Sequence, residues 1–258
     1  MIGAIIGDIV GSVYEWRRIK TKSFEFFVDQ CECTDDSICT AAVADILIHD
    51  LSPAQTLQRW CREYPRGDYG GRFAEWIKMD PPRPYDSFGN GAAMRVSPAA
   101  YLNRNADLSI ALAASDLVTA VTHDHPEGLK GARATVHAIW LGFQGETVVG
   151  IRAAIAETYG YDLSRSVDDI RPGYRFNEIC QTTVPEAITC ALESNSFEDA
   201  IRNAVSLGGD SDTLAAIAGP IAEALHGIPV GIQTEAEDGY IPKDILRIVR
   251  ELYEEDCH

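Results

Sequence analysis

Between Asp107 and Val121 one set of apolar residues falls at Ile110, Ala113, Ala114, Leu117, Val118 and Val121. This i, i+3, i+4, i+7 spacing predicts a helix with one stripe turned to the core. Ile245, Ile248, Val249 and Leu252 repeat the pattern behind Pro242, a residue the first helical turn tolerates, so a C-terminal helix is expected to dock the tail. From Ser37 to Ile48 the chain is apolar on nearly every side and rich in Ala, which predicts a central helix packed on most faces. Further helices are expected after Ser52-Pro53, near Leu129, near Glu146, after Pro185, near Phe197 and near Asp212. Period-2 alternation is rare and short, so no sheet organises the fold and the class is all-α. The breaks are local turns at residues 64–68, 79–84 and 171–173, with no long linker, low-complexity tract or fixed-period repeat. One compact domain over residues 1–258 is the expectation.

Charge narrows the functions open to such a chain. Its 258 residues carry 22 Lys and Arg against 39 Asp and Glu, a net −17. That balance argues against general nucleic-acid or anionic-membrane binding, which needs a dominant positive field. Any anionic ligand must be held locally. No apolar run reaches the roughly 18 residues of a membrane-spanning helix, and the first residues lack the features of a signal peptide, so a cytoplasmic protein is expected. Seven cysteines, an odd number, fit scattered thiols better than a disulfide framework. Cys31 and Cys33 are too close for a C-x-x-C pair, and the usual zinc-knuckle spacings are absent.

Carboxylates supply the clearest chemistry. Thr34-Asp35-Asp36-Ser37 directly precedes the buried apolar helix, and Gly208-Gly209-Asp210-Ser211-Asp212-Thr213 precedes another, whose core stripe is Leu214, Ile217, Ala218, Ile221 and Leu225. Helix capping would account for one Asp at each place. Four carboxylates and two Thr hydroxyls at two helix mouths are instead an all-oxygen donor set suited to Mg²⁺, Mn²⁺ or Ca²⁺, which would also relieve their mutual repulsion.

Three further stretches qualify that picture. Gly3, Gly7 and Gly11 lie along one ridge of an N-terminal helix, where another element can approach closely, and Glu15 follows at or past the helix end. Ser87-Phe88-Gly89-Asn90-Gly91-Ala92-Ala93-Met94-Arg95 runs into a helix and offers backbone N–H groups either to a phosphate or simply to a tight turn. Thr122-His123-Asp124-His125 joins two helices, where a capping turn competes with metal binding.

Taken in order, Gly-Asp-x-x-Gly-x-x-x-Glu, Thr-Asp-Asp-Ser, Gly-Asn-Gly-Ala-Ala-Met-Arg, Thr-His and Gly-Gly-Asp-Ser-Asp-Thr resemble the ADP-ribosylglycohydrolase family, over roughly residues 1 to 228. The resemblance implies an all-α fold with two Mg²⁺ or Mn²⁺ ions that cleaves ADP-ribose from its acceptor, an ADP-ribosylated protein or an ADP-ribose-containing small molecule. It makes Thr34, Asp35, Asp36, Asp210, Asp212 and Thr213 the metal ligands. It sets Phe88, Gly89, Asn90, Gly91, Ala92, Met94 and Arg95 around the diphosphate and distal ribose, with His123 lining the same cleft. Glu15 and Asp35 become the candidates for activating water. Glu15 matches the glutamate of the serine-linked and poly(ADP-ribose)-cleaving branch, which puts O-linked acceptors slightly ahead of arginine-linked ones. Ser37 stands where many relatives have Thr. If Glu15 sits at the metals, the cations Arg17, Arg18, Lys20 and Lys22 fall at the cleft rim, where they would attract phosphates.

Overall fold

The computed structural model describes residues 1–254. In chain order its helices are α1 (Ile2–Glu15), α2 (Asp35–His49), α3 (Pro53–Glu63), α4 (Gly71–Trp76), α5 (Gly91–Met94), α6 (Ser97–Leu102), α7 (Leu108–Thr119), α8 (Pro126–Phe143), α9 (Val148–Tyr159), α10 (Val167–Ile170), α11 (Cys180–Leu192), α12 (Phe197–Ser206), α13 (Ser211–His226), α14 (Val230–Gly239) and α15 (Lys243–Glu254). Among the described residues the only β-pairing is an isolated bridge between Gly89 and Ile179. None of the described helices is long and apolar enough to cross a membrane.

The glycine ridge of α1 decides the centre of the molecule. A Cβ at Gly7 would fall 2.1 Å from the Ala215 carbonyl oxygen, one at Gly11 2.4 Å from Asp212 Cα, and one at Gly219 2.0 Å from the Gly3 carbonyl oxygen. The backbones of α1 and α13 therefore touch, which only residues without Cβ permit. Ile5, Ile6, Ile9 and Val10 are fully buried around this contact, and Asp8 is carried into the core beside the N-terminus of α13.

As its composition predicts, α2 is buried on nearly all sides from Asp36 to Ile46. Its far end is tied down by Asp45, which accepts hydrogen bonds from Trp60 Nε1 at 2.8 Å and His49 Nδ1 at 2.9 Å, while His49 Nε2 meets Glu251 of α15 at 2.8 Å. All four predicted contact residues of α15 are buried, so the docking expectation holds.

Two helices differ from the reading of their periodicity. In α7 the buried residues are Ala111, Ser115, Val118 and Thr119, whereas Ile110 and Leu117 are 51% and 52% exposed. The stripe turned inward is thus mostly small and hydroxyl-bearing, with Val118 shared between the expected and the observed faces. A helix was expected to start after Pro185, yet α11 begins at Cys180 and contains that proline. Pro185 lies in the second turn, where its missing N–H removes a single bond near the helix start, and burial of Val184, Ala187, Ile188 and Ala191 offsets it. The short α4 and α10 and the mostly exposed α14 carry too weak a pattern to have been expected.

Candidate active site

The mouths of α2 and α13, the end of α1 and the loop into α5 enclose a cavity of about 460 Å³. Glu15, Asp35, Asp36, Asp210, Asp212 and Thr213 line it together with Gly89, Asn90, Gly91, Met94, Arg95 and His123, and Asn90 and Met94 touch the acidic group. Residues 198 apart at the extremes, Glu15 and Thr213, thus share one cleft, as the resemblance implies.

Two overlapping groups of carboxylates define the acidic end. One oxygen from each of Asp8, Asp36 and Asp212 lies within 4.8 Å of the others, and the same holds for Glu15, Asp210 and Asp212. Oxygens on opposite sides of a hard cation at about 2.1 Å are about 4.2 Å apart, so both groups have a cation's spacing within small side-chain shifts, although Asp8 is committed to donors at the mouth of α2. Asp36 Oδ1 is buried with no hydrogen-bond partner, the orphaned acceptor such an ion would satisfy. These donors fit divalent metal.

Burial first, then mutual repulsion, raises the affinity of this end for protons. Burial and the charge of Asp212 push Asp8 up to about 7 and Glu15 up to about 8. Asp36 is raised well above the carboxylate range by the same two causes, as is Asp210, while Asp35 is raised by burial and by Cys39 and Asp212. No Lys or Arg forms an ion pair with any of them in the described residues. A cluster left without protein counter-charge is what a bound cation would neutralise.

Elsewhere in the cleft a relay sets one proton. Arg95, almost fully buried, donates from Nη2 to Thr122 Oγ1 at 2.6 Å, and that oxygen is 2.7 Å from His123 Nδ1. Nδ1 also faces Arg95 Nη2 at 3.5 Å, and since an arginine only donates, this setting favours the tautomer with Nδ1 as acceptor and the proton on Nε2. Burial and the charges of Arg95 and Arg72 hold the His123 pKa well below the ordinary value, so the ring is neutral. Nε2 lies 3.5 Å from where a Cβ would stand at Gly89 or Gly91. The open glycine edge and this N–H therefore face one space.

Some expected residues have other neighbours. Phe88 and Ala92 are not among the cavity-lining residues: Phe88 packs on the His125 ring at 5.1 Å, and Ala92 is buried beneath the loop. Asn90 lines the cavity, but its amide is engaged with Asp210 Oδ2 at 2.6 Å and Thr183 Oγ1 at 3.3 Å, which holds that carboxylate. Thr34 is not among the cavity-lining residues; it is the N-cap of α2, its hydroxyl 2.6 Å from Asp8 Oδ1, while Thr213 Oγ1 reaches Asp36 Oδ2 at 3.3 Å. His125 caps α8 by accepting from the Glu127 N–H at 3.1 Å. The cationic rim is narrower than expected. Lys20 is engaged with the carbonyls of Arg171, Tyr174 and Leu207, and Lys22 is paired with Asp199. Arg18 lies over the Phe176 ring at 4.5 Å, and Trp16, 67% exposed, is 5.9 Å from the same ring at the cavity edge.

Asp8 was passed over among the sequence candidates. The signal was present: a lone carboxylate inside Ile5-Ile6-Gly7-Asp8-Ile9-Val10, a helix otherwise apolar, had no solvent face to occupy.

The cleft thus combines two acidic groups whose spacing suits a divalent cation with a relay that ends in a neutral imidazole. The ADP-ribosylglycohydrolase family model matches residues 1–257, and the chain belongs to that family of glycosidic-bond hydrolases. It is 25% identical to ADP-ribosylarginine hydrolase Tri1 of Pseudomonas putida (strain GB-1), over 88% of this chain and 70% of that one. It is 26% identical to ADP-ribosylhydrolase ARH3 of Mus musculus, over 95% and 88%. A solved ADP-ribosylglycohydrolase-related protein complex shares the fold with a TM-score of 0.63 at 21% identity, covering 99% of this chain and 94% of the other.

Proposed function

We propose that this protein removes ADP-ribose from a modified acceptor using two divalent cations, Mg²⁺ or Mn²⁺, with O-linked acceptors, serine-type or poly(ADP-ribose), ahead of arginine-linked ones. The observation that carries the reading is the convergence of Asp35-Asp36, Asp210-Asp212 and Glu15 on one end of a single cavity. Thr34, Asp35, Asp36, Asp210, Asp212 and Thr213 would hold the ions. When bound, the ions neutralise these carboxylates and favour a fixed orientation of the vicinal hydroxyls of the proximal ribose. The loop from Gly89 to Arg95, with the Nε2–H of His123, holds the diphosphate by neutral and charged donors, the local anion site that so acidic a chain requires. Glu15, the last residue of α1, takes a proton from the water that adds at C1 as the C1–acceptor bond breaks, and the departing acceptor oxygen receives a proton in exchange, with Asp35 as the neighbouring carboxylate. Proton transfer of this kind contributes about 10²–10⁴-fold. The O-linked preference rests on Glu15 at the acidic end, and a relative named for ADP-ribosylarginine makes it the point to test.

Mass spectrometry of the products from Ser- and Arg-linked ADP-ribosyl peptides, with Mg²⁺ or Mn²⁺, decides. Free ADP-ribose is expected, with turnover lost in excess chelator and in Asp35→Ala and Asp212→Ala. Release of AMP would make the protein a phosphodiesterase, and binding without turnover would make it a reader of ADP-ribose. Turnover of the Arg-linked peptide alone, with Glu15→Gln at wild-type rate, would overturn the O-linked assignment.

A further inference from the structure

Asp8 is fully buried, lies 26 residues before Thr34, the first of the metal-ligand candidates in the sequence, and shares its helix with Glu15 alone of the acidic site residues. It accepts four hydrogen bonds. Oδ2 receives the Thr34 N–H at 2.9 Å, the Ser37 N–H at 3.0 Å and the Ser37 hydroxyl, and Oδ1 receives the Thr34 hydroxyl at 2.6 Å. All four donors belong to the N-terminus of α2, so a carboxylate of α1 performs the capping that Thr34 does only weakly, through a 3.4 Å contact with the Asp36 N–H. We propose that Asp8 is a positioning residue that turns the Thr34 hydroxyl, and with it Asp35 and Asp36, toward the cation site.

A hydroxyl has one proton and two acceptor directions. With its proton committed to Asp8 and one acceptor direction facing the Asp36 N–H, Thr34 Oγ1 keeps the other for a positive ion. Without Asp8 the proton is free to rotate into that direction, where it opposes a cation. Both Asp8 oxygens are already engaged by donors of α2, so its action on a cation runs through Thr34 and the helix mouth. The Gly7 and Gly11 contacts that seat α1 on α13 bring Asp8 near Asp212, so one carboxylate fixes the mouth of α2 relative to that of α13. The inference rests on the two-cation reading above.

Mn²⁺ binding to the substrate-free protein, followed by calorimetry and electron paramagnetic resonance, is the test. Asp8→Asn preserves the shape but presents an NH₂ where an acceptor stood, and should weaken Mn²⁺ binding about 10- to 100-fold, the usual effect of losing a group that orients a ligand. Thr34→Val should weaken binding comparably, and the double variant no further, because both changes remove one device. Thr34→Ser should restore binding, since the hydroxyl returns. Ser37→Ala, which removes a donor to Asp8 but leaves the Thr34 contact, should cost less than Asp8→Asn. Wild-type affinity in Asp8→Asn, or independent and additive losses in the double variant, would overturn the role of Asp8. Should Asp8→Asn fail to fold, wild-type affinity in Thr34→Val alone would overturn it. No Mn²⁺ binding by the wild type would instead refute the metal reading itself.

Discussion

Replacing Gly7 by Ala tests whether backbone contact between α1 and α13 is what assembles the site. The added Cβ would stand 2.1 Å from the Ala215 carbonyl oxygen and 2.9 Å from the Ala216 nitrogen, both main-chain atoms that no rotamer change can move. Ordinary contact needs about 3.5 Å, so the helices must part by about 1.4 Å. Overpacking of this kind costs about 3 kcal/mol, at the upper end of its usual range because backbone must yield. The helix preference of Ala over Gly returns about 1 kcal/mol. A net loss of about 2 kcal/mol follows, which at this chain length lowers the melting temperature by about 4–8 °C. Because Asp8 and Glu15 ride on α1, the same shift draws them from Asp212 and should weaken Mn²⁺ binding. Gly231→Ala in α14, where nothing lies within 4 Å, is the matched control and should leave stability unchanged or slightly raised. Urea and thermal melts of both variants, with Mn²⁺ titrations, give the comparison. A Gly7→Ala protein as stable as wild type with unchanged Mn²⁺ affinity would refute the argument that close helix approach holds the site together.

In metal-free protein, Asp8 raised to about 7 and Glu15 to about 8 mean that the folded state holds protons the unfolded chain releases above about pH 4. Their contribution to stability is complete below that pH and is lost as pH rises through 7 and 8. Melting temperatures in chelator should therefore fall across this window, and added Mn²⁺ should flatten the fall, whereas a chelated protein equally stable at pH 5 and 8 would contradict the sign. Lys20→Met should destabilise by about 2–3 kcal/mol in a urea melt, since charged hydrogen bonds to three carbonyls are lost; an effect no larger than that of Arg17→Met would show the clamp to be unimportant. Gly91→Val should weaken ADP-ribose binding in calorimetry more than Arg95→Lys does, because its branches would grow from a Cβ already 3.5 Å from His123 Nε2 into the shared space; equal affinity with wild type would remove the diphosphate from this loop.

Helix content, the central place of α2, the docking of α15 and the two acidic mouths were all legible in the sequence. Each depends on residues near one another in the chain: an Ala-rich apolar run has no polar face to expose, and paired Asp before such a run has only the helix end to occupy. The glycine ridge likewise announced a close contact, although not its partner. Tertiary structure alone decided that the partner is α13, that α7 turns Ala111 and Ser115 inward while Ile110 and Leu117 face out, and that Asn90 holds Asp210. It alone showed that Lys20 is a clamp and that Asp8 caps a helix other than its own. Periodicity records which side of a helix is apolar. The side that is buried, and the group a buried charge meets, depend on the size and donors of elements distant in sequence, and these become neighbours only when the helices pack.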